Sequence, residues 1–171
     1  MMKWKRKKQS WRLFAFKALS VMVLLFVAAE AFSARYRIAY DPQKVKCLPN
    51  YSVYLLDTWD TSRERGGLYF FDARGFEPIF QDGTRLVKIL SALPGDHVQV
   101  SHDGVFVNSS NLAKGLALAD KLGSDPKDFL VSGTLQEGNY WFLGEHELSF
   151  DSRYWGAVDN DQILGRAYPI Y

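Results

Sequence analysis

From Leu13 to Ala34 the chain is apolar except for Lys17 near the start and Glu30 near the end, with an uncharged core from Ala18 to Ala29. About 20 residues at ~1.5 Å each cross the ~30 Å hydrocarbon region of a bilayer, so this stretch predicts one transmembrane helix. Lys17 can extend its charge back to the near interface. The same charged, apolar and small-residue order, ending at Ala31-Phe32-Ser33-Ala34, also fits a cleaved secretory signal. Beyond Arg35 the pattern changes to short, interrupted apolar runs. Arg35 to Pro42 reads as an extended linker, because Asp41-Pro42 discourages a helix.

Val53 to Leu56, Leu68 to Phe71, Arg85 to Leu90, Asn139 to Leu143 and Ile163 to Tyr168 read as strands separated by glycine-rich turns. His97-Val98-Gln99-Val100 alternates, His102-Asp103-Gly104 turns, and Val105-Phe106-Val107 returns as a hairpin. Phe76 to Phe80 contains Pro78 and reads as a turn or an edge. Asn111 to Leu122 predicts a short helix weakened by Gly115. Residues 108–138 read as a variable insertion between strands. Many short strands and hardly any long amphipathic helix predict a mostly β, antiparallel body.

Composition refines this picture. The 171 residues suit one domain beyond an anchor, and 47% hydrophobic with 15% aromatic residues excludes a disordered chain. The net charge of +2 hides an asymmetry: Lys3, Lys5, Arg6, Lys7, Lys8 and Arg12 precede any acidic residue. Because an apolar span follows at once, the basic run points to a bilayer and not to nucleic acid. The positive-inside rule then keeps residues 1–12 in the cytoplasm, uses 13–34 as the anchor and puts 35–171 outside the cytoplasm. Trp59, Tyr69, Phe70 and Phe71 are candidates for approaching the membrane surface.

Three places combine special backbone with reactive side chains. Cys47 is the only cysteine, so no internal disulfide forms. It is either a buried or incidental thiol or a nucleophile presented beside Pro49. Lys88 falls on the same face of its strand as Leu86 and Leu90. If that face is inward, desolvation favours the neutral amine, a proton acceptor; if the strand is an edge, Lys88 meets solvent. Ser149, Asp151 and Arg153 occupy alternate positions, so an extended stretch would put all three on one face; the alternative is a charged surface loop. His97, His102 and His146 show no recognised ligand spacing, and no metal or other cofactor is expected.

Lys88-Ile89-Leu90-Ser91-Ala92-Leu93-Pro94-Gly95-Asp96, followed by Gly144 through Gly156 with Ser149-Phe150-Asp151-Ser152-Arg153, resembles the lysine and terminal boxes of type I signal peptidases. The short body and the Gly104 to Asn108 hairpin are closer to the branch that processes pilins in conjugative transfer. The resemblance implies a membrane-anchored endopeptidase with nucleophile Cys47 in place of serine, general base Lys88, orienting Ser149, and a salt-bridged Asp151 and Arg153. It implies cleavage through a thioester, and an amine resolving that thioester would join or cyclise the product. The expected partners are a protein precursor, most specifically a pilin, the lipid bilayer and other membrane proteins of the transfer apparatus. A general secretory signal peptidase and a non-catalytic pilus assembly factor are the alternatives. Val45 lacks the hydroxyl many members place there, Glu145 replaces an aspartate, and Pro49 is followed by Asn50-Tyr51.

Overall fold

The computed structural model describes residues 10–48 and 50–171 and divides into two units, Met1–Tyr36 and Arg37–Tyr171. The basic run Lys3 to Lys8 and the proline after Leu48 lie outside the described residues. In the first unit, α1 (Trp11–Arg35) starts at Ser10, whose Oγ accepts the Leu13 N–H at 3.4 Å. Its apolar side chains lie all round the helix, and among the described residues it is the one helix long and apolar enough to cross a membrane. It exceeds the expected 13–34 span by Trp11 and Arg12 at its start and Arg35 at its end.

The remainder is antiparallel β. The strands are β1 (Tyr36–Tyr40), β2 (Val53–Asp57), β3 (Leu68–Asp72), β4 (Arg85–Ala92), β5 (His97–Val100), β6 (Gly104–Val107), β7 (Ser110–Lys114), β8 (Val131–Thr134), β9 (Asn139–Leu143), β10 (Val158–Asp159) and β11 (Ile163–Pro169). A short helix, α2 (Ser152–Trp155), precedes β10. Seven strands form one sheet in the order β1-β2-β11-β3-β4-β9-β10, and four form another in the order β7-β6-β5-β8. The expected strands and the mostly β antiparallel class with one N-terminal apolar helix are all present.

The helix expected over Asn111 to Leu122 is not. Its first part is β7, paired with β6 through Val107↔Ser110, Phe106↔Asn111 and Val105↔Ala113, and only Asp120–Leu122 makes a single 3-10 turn. Gly115 packs so tightly on the His102 backbone that a Cβ would lie 3.3 Å from the His102 carbonyl carbon. Pairing with an existing hairpin therefore prevails over a weak helical preference. The stretch 108–138 supplies β7 and β8, both edges of the smaller sheet.

Interior position also corrects the reading of the aromatic run. β3 has both edges paired, with β11 and β4, and both faces packed: Tyr69 and Phe71 join a core with Leu86, Leu90, Phe142 and Val158, while Phe70 packs with Leu48, Tyr54, Leu56 and Ala167 on the other side. Tyr69, Phe70 and Phe71 are buried and unavailable to a membrane surface; Trp59 is exposed. A strand buried on both faces reads as a continuous apolar run.

The two sheets are joined where β4 ends. Asp96 accepts hydrogen bonds from Arg65 Nη2 at 2.9 Å, Leu93 N–H at 2.7 Å and Asn108 Nδ2 at 2.7 Å. Burial alone would raise its carboxyl, but the bonds from Arg65, Leu93 and Asn108 outweigh this and hold it below the usual carboxylate range. A carboxyl depressed by folding adds stability above its unfolded value of ~3.9, and that contribution is lost as pH falls through the folded value. Asp96→Asn is expected to lower unfolding free energy by about 1–3 kcal/mol at pH 7 and to flatten the loss of stability below ~pH 4, read by urea titration of the full chain in detergent. Equal urea midpoints for both proteins at pH 7 would contradict this.

Candidate active site

Lys88 lies mid-strand in β4, between β3 and β9, opposite Tyr69. Leu86, Lys88 and Leu90 are all buried, Lys88 with 2% of its surface exposed, so the inward reading holds and the edge-strand reading does not. A buried ammonium or amine needs a polar partner. Lys88 Nζ donates to Ser149 Oγ at 2.9 Å, and among the described residues no carboxylate pairs with it.

Ser149, Asp151 and Arg153 do come together, but not through extended alternation. Ser149 N–H bonds to the His146 carbonyl at 2.9 Å in a turn, and Asp151 caps α2 by accepting the Arg153 N–H at 3.2 Å. A capping aspartate starts a helical turn, so local hydrogen bonding displaces the strand geometry expected from spacing. Nor is the segment a surface loop. Asp151 and Arg153 have side-chain exposures of 0% and 1% and form a bidentate pair, Nε to Oδ1 at 2.8 Å and Nη2 to Oδ2 at 2.8 Å.

Each partner also holds backbone. Asp151 Oδ2 accepts the Gly144 N–H at 3.0 Å, while Arg153 donates to the carbonyls of Ser149 at 3.2 Å, Lys114 at 2.9 Å and Gly115 at 3.0 Å. Burial alone would lower the Arg153 guanidinium, but the hydrogen bonds and charge of Asp151 outweigh it and raise it above its ordinary value.

Cys47 is a free, half-buried thiol. Its carbonyl accepts the N–H groups of Glu145 at 2.8 Å and His146 at 3.2 Å, so the loop that carries Ser149 also fixes the cysteine backbone. Lys46 Nζ donates to Ser52 Oγ and Tyr51 N–H bonds to the Leu48 carbonyl at 3.2 Å, closing the segment on the other side. Cys47 and Lys88 line one cleft of about 190 Å³ with Ala39, Asp41, Tyr54 and Arg85. Sequence reasoning missed Tyr54, whose signal was its alternation with Leu56 in a strand six residues beyond the thiol. Among the described residues no group of three or more His, Cys, Asp or Glu could hold a metal ion.

The family described as signal peptidase, peptidase S26, matches residues 11–171. This chain belongs to the signal peptidase family. A probable signal peptidase I-2 of Synechocystis sp. is 30% identical over 112 residues, 61% of this chain and 46% of that protein, so the match spans about half that relative's length. Signal peptidase IB of Staphylococcus aureus is 25% identical over 165 residues, 84% of this chain and 80% of that protein. The crystal structure of a signal peptidase I from Enterococcus faecalis is 27% identical, covering 61% of this chain and 96% of that one with a TM-score of 0.41.

In this signal peptidase family member, Gly144 is where the two halves of the site touch. A Cβ there would lie 2.7 Å from Ser149 Cβ, closer still to Ser149 Oγ, and 3.1 Å from the Cys47 carbonyl oxygen. Gly144→Ala must push Ser149 away from Lys88 or Cys47 away from the loop. A displacement of about 1 Å at a reacting group costs ~100-fold in rate, so if these residues carry out peptide cleavage, the Gly144→Ala chain is expected to be slower by about that factor. Cleavage at the wild-type rate would show that this close approach is not required.

Proposed function

We propose that this chain is a membrane-anchored endopeptidase of exported precursor proteins, with Cys47 as nucleophile, Lys88 as general base and Ser149 as the group that orients it. The observation that carries the reading is Lys88: an amine inside an apolar strand, bonded to a buried serine, at the wall of the cleft that holds the thiol. Chemistry at neutral pH needs such an amine, within reach of the nucleophile, to accept a proton.

Lys88 takes the thiol proton as sulfur attacks the scissile carbonyl; the same proton then goes to the leaving amine as the C–N bond breaks. A water molecule attacks the thioester, Lys88 accepts its proton, and expulsion of the thiolate frees the acid. A thiol is a stronger acid than an alkyl hydroxyl and its thiolate a better nucleophile, so a lysine base suffices for cysteine as for serine. The Cys47 N–H, without an acceptor among the described residues, is free to bond the developing oxyanion.

Processing of varied secretory precursors is the substrate reading best supported, since the named relatives are signal peptidases. The narrower reading, a conjugative pilin cut and closed into a ring with transfer-apparatus partners, rests on the resemblance of the short body and its hairpin. Mass spectrometry of precursors made with wild-type, Cys47→Ala or Lys88→Ala chains is expected to show loss of cleavage in both variants, with a drop of at least ~1,000-fold. Undiminished processing by both would leave a non-catalytic binding role. Cleavage across a panel of unrelated precursors supports the general substrate reading; cleavage of a pilin alone, or a product lighter by one water, supports the narrower one.

The assignment of 1–12 to the cytoplasm, 13–34 to the anchor and 35–171 to the outer side rests on the positive-inside rule applied to the basic start. Protease added to intact spheroplasts is expected to digest the body while a tag at the N-terminus stays protected. A protected body would refute the orientation.

A further inference from the structure

Attack on a carbonyl places a developing negative oxygen beside Cys47, and donors aimed at that oxygen supply a large part of catalysis. Residue 45 offers none, because Val45 is apolar and 56% exposed. The Cys47 N–H is one candidate donor, and Tyr54 provides another. Its side chain, 3% exposed, is fixed by Leu48, Leu56, Phe70 and Ala167 and meets the Tyr51 ring edge-on at 6.4 Å. It lines the same cleft as Cys47 and Lys88.

Three other tyrosine hydroxyls in this body are occupied: Tyr69 accepts the Glu64 N–H at 2.8 Å, Tyr154 accepts the Leu118 N–H at 3.0 Å, and Tyr168 donates to Asp60 at 2.8 Å, while Tyr40, Tyr51, Tyr140 and Tyr171 are not buried. Tyr54 is different. Its hydroxyl has no hydrogen-bond partner among the described residues, yet it is not one of the polar atoms sealed from solvent. A rigid, buried ring with an open, unpaired hydroxyl at a cleft wall is a preorganised donor.

We propose that the Tyr54 hydroxyl is a catalytic hydrogen-bond donor that holds the oxyanion formed when a nucleophile at Cys47 attacks the scissile carbonyl; this rests on the reading of Cys47 given above. The sulfur–carbon bond forms as the carbonyl π pair moves onto oxygen, and Tyr54 donates a hydrogen bond without surrendering its proton. When the tetrahedral species collapses, the carbonyl re-forms, the C–N bond breaks and Lys88 returns its proton to the amine. Burial foremost, then the neighbouring Asp41 carboxylate, pushes the Tyr54 hydroxyl up to about 12, so it remains a donor at working pH.

The test uses the full chain in detergent with a precursor peptide. Tyr54→Phe keeps the ring and removes an oxygen that bonds no described residue. It is expected to lower kcat ~100-fold with KM within about threefold, and to weaken a peptide aldehyde, whose adduct carries the same oxygen, in parallel. Alkylation of Cys47 by iodoacetamide, which develops no oxyanion, is expected at the wild-type rate. The proposal is overturned by a kcat within about threefold of wild type, or by alkylation slowing in step with kcat, which would put the hydroxyl's action on the sulfur. 3-Fluorotyrosine at position 54 retains ring and donor and is expected to keep wild-type activity; its failure to do so would equally overturn the proposal. Cleavage that survives in Cys47→Ala sinks the nucleophile reading itself, an outcome separate from any effect of Tyr54→Phe.

Discussion

An amine in the middle of a buried strand imposes the constraint around which this body is organised. Lys88 shares its face with Leu86 and Leu90, where an unpaired polar group would be destabilising, and Ser149 Oγ answers it at 2.9 Å. A serine can do so only if its loop is held. The bidentate Asp151–Arg153 pair provides that hold through Gly144 N–H and the Ser149 carbonyl, and the Cys47 carbonyl is tied to the same loop through Glu145 and His146. The position of the thiol relative to the amine is thus fixed by backbone bonds that radiate from one buried ion pair.

Sheet curvature supplies the other half of the site. β1 and β2 are separated from β4 by β11 and β3 in the hydrogen-bonding order, yet Ala39 and Tyr54 line the same cleft as Val87 and Lys88. The large sheet must therefore curl to bring its β1–β2 edge and β4 to one opening. The register shift of β11 between Ile163 and Gly165 allows part of that bend. Gly165 lies so close to the Asp57 backbone that a side chain there would strike it and the Phe70 ring.

Strand positions were legible in the sequence because alternation and glycine turns act locally. The inward face of Lys88 was legible too, although the choice between an interior and an edge strand needed the pairing of β4 with both β3 and β9. What failed was inference where a tertiary partner competes with local preference. Asn111 to Ala113 found a strand to pair with, Asp151 turned the chain into α2, and Tyr69 to Phe71 proved buried because β3 is covered on both faces. Three groups had little sequence signal: the carbonyls of Lys114 and Gly115, which lie 39 and 38 positions before Arg153 and meet it only once the chain is folded back, and the hydroxyl of Tyr54.

The ion pair raises a question of why charge, and not hydrocarbon, fills this part of the interior. A buried pair gains little net stability over apolar residues of the same volume, because desolvation of both ions offsets their attraction. Here the alternative is worse for a specific reason. Apolar replacements would leave the Gly144 N–H and the carbonyls of Ser149, Lys114 and Gly115 without these partners, at a cost of about 1–3 kcal/mol for each group that found no other. The guanidinium and carboxylate bind the Gly144 and Arg153 N–H groups and the carbonyls of Lys114, Gly115, Glu147 and Ser149 at once, and a neutral side chain has neither the number of donors nor the fork geometry to do so. The pair is therefore explained by what it organises: the loop that presents Ser149 to Lys88, anchored to the strand that the stretch 108–138 contributes.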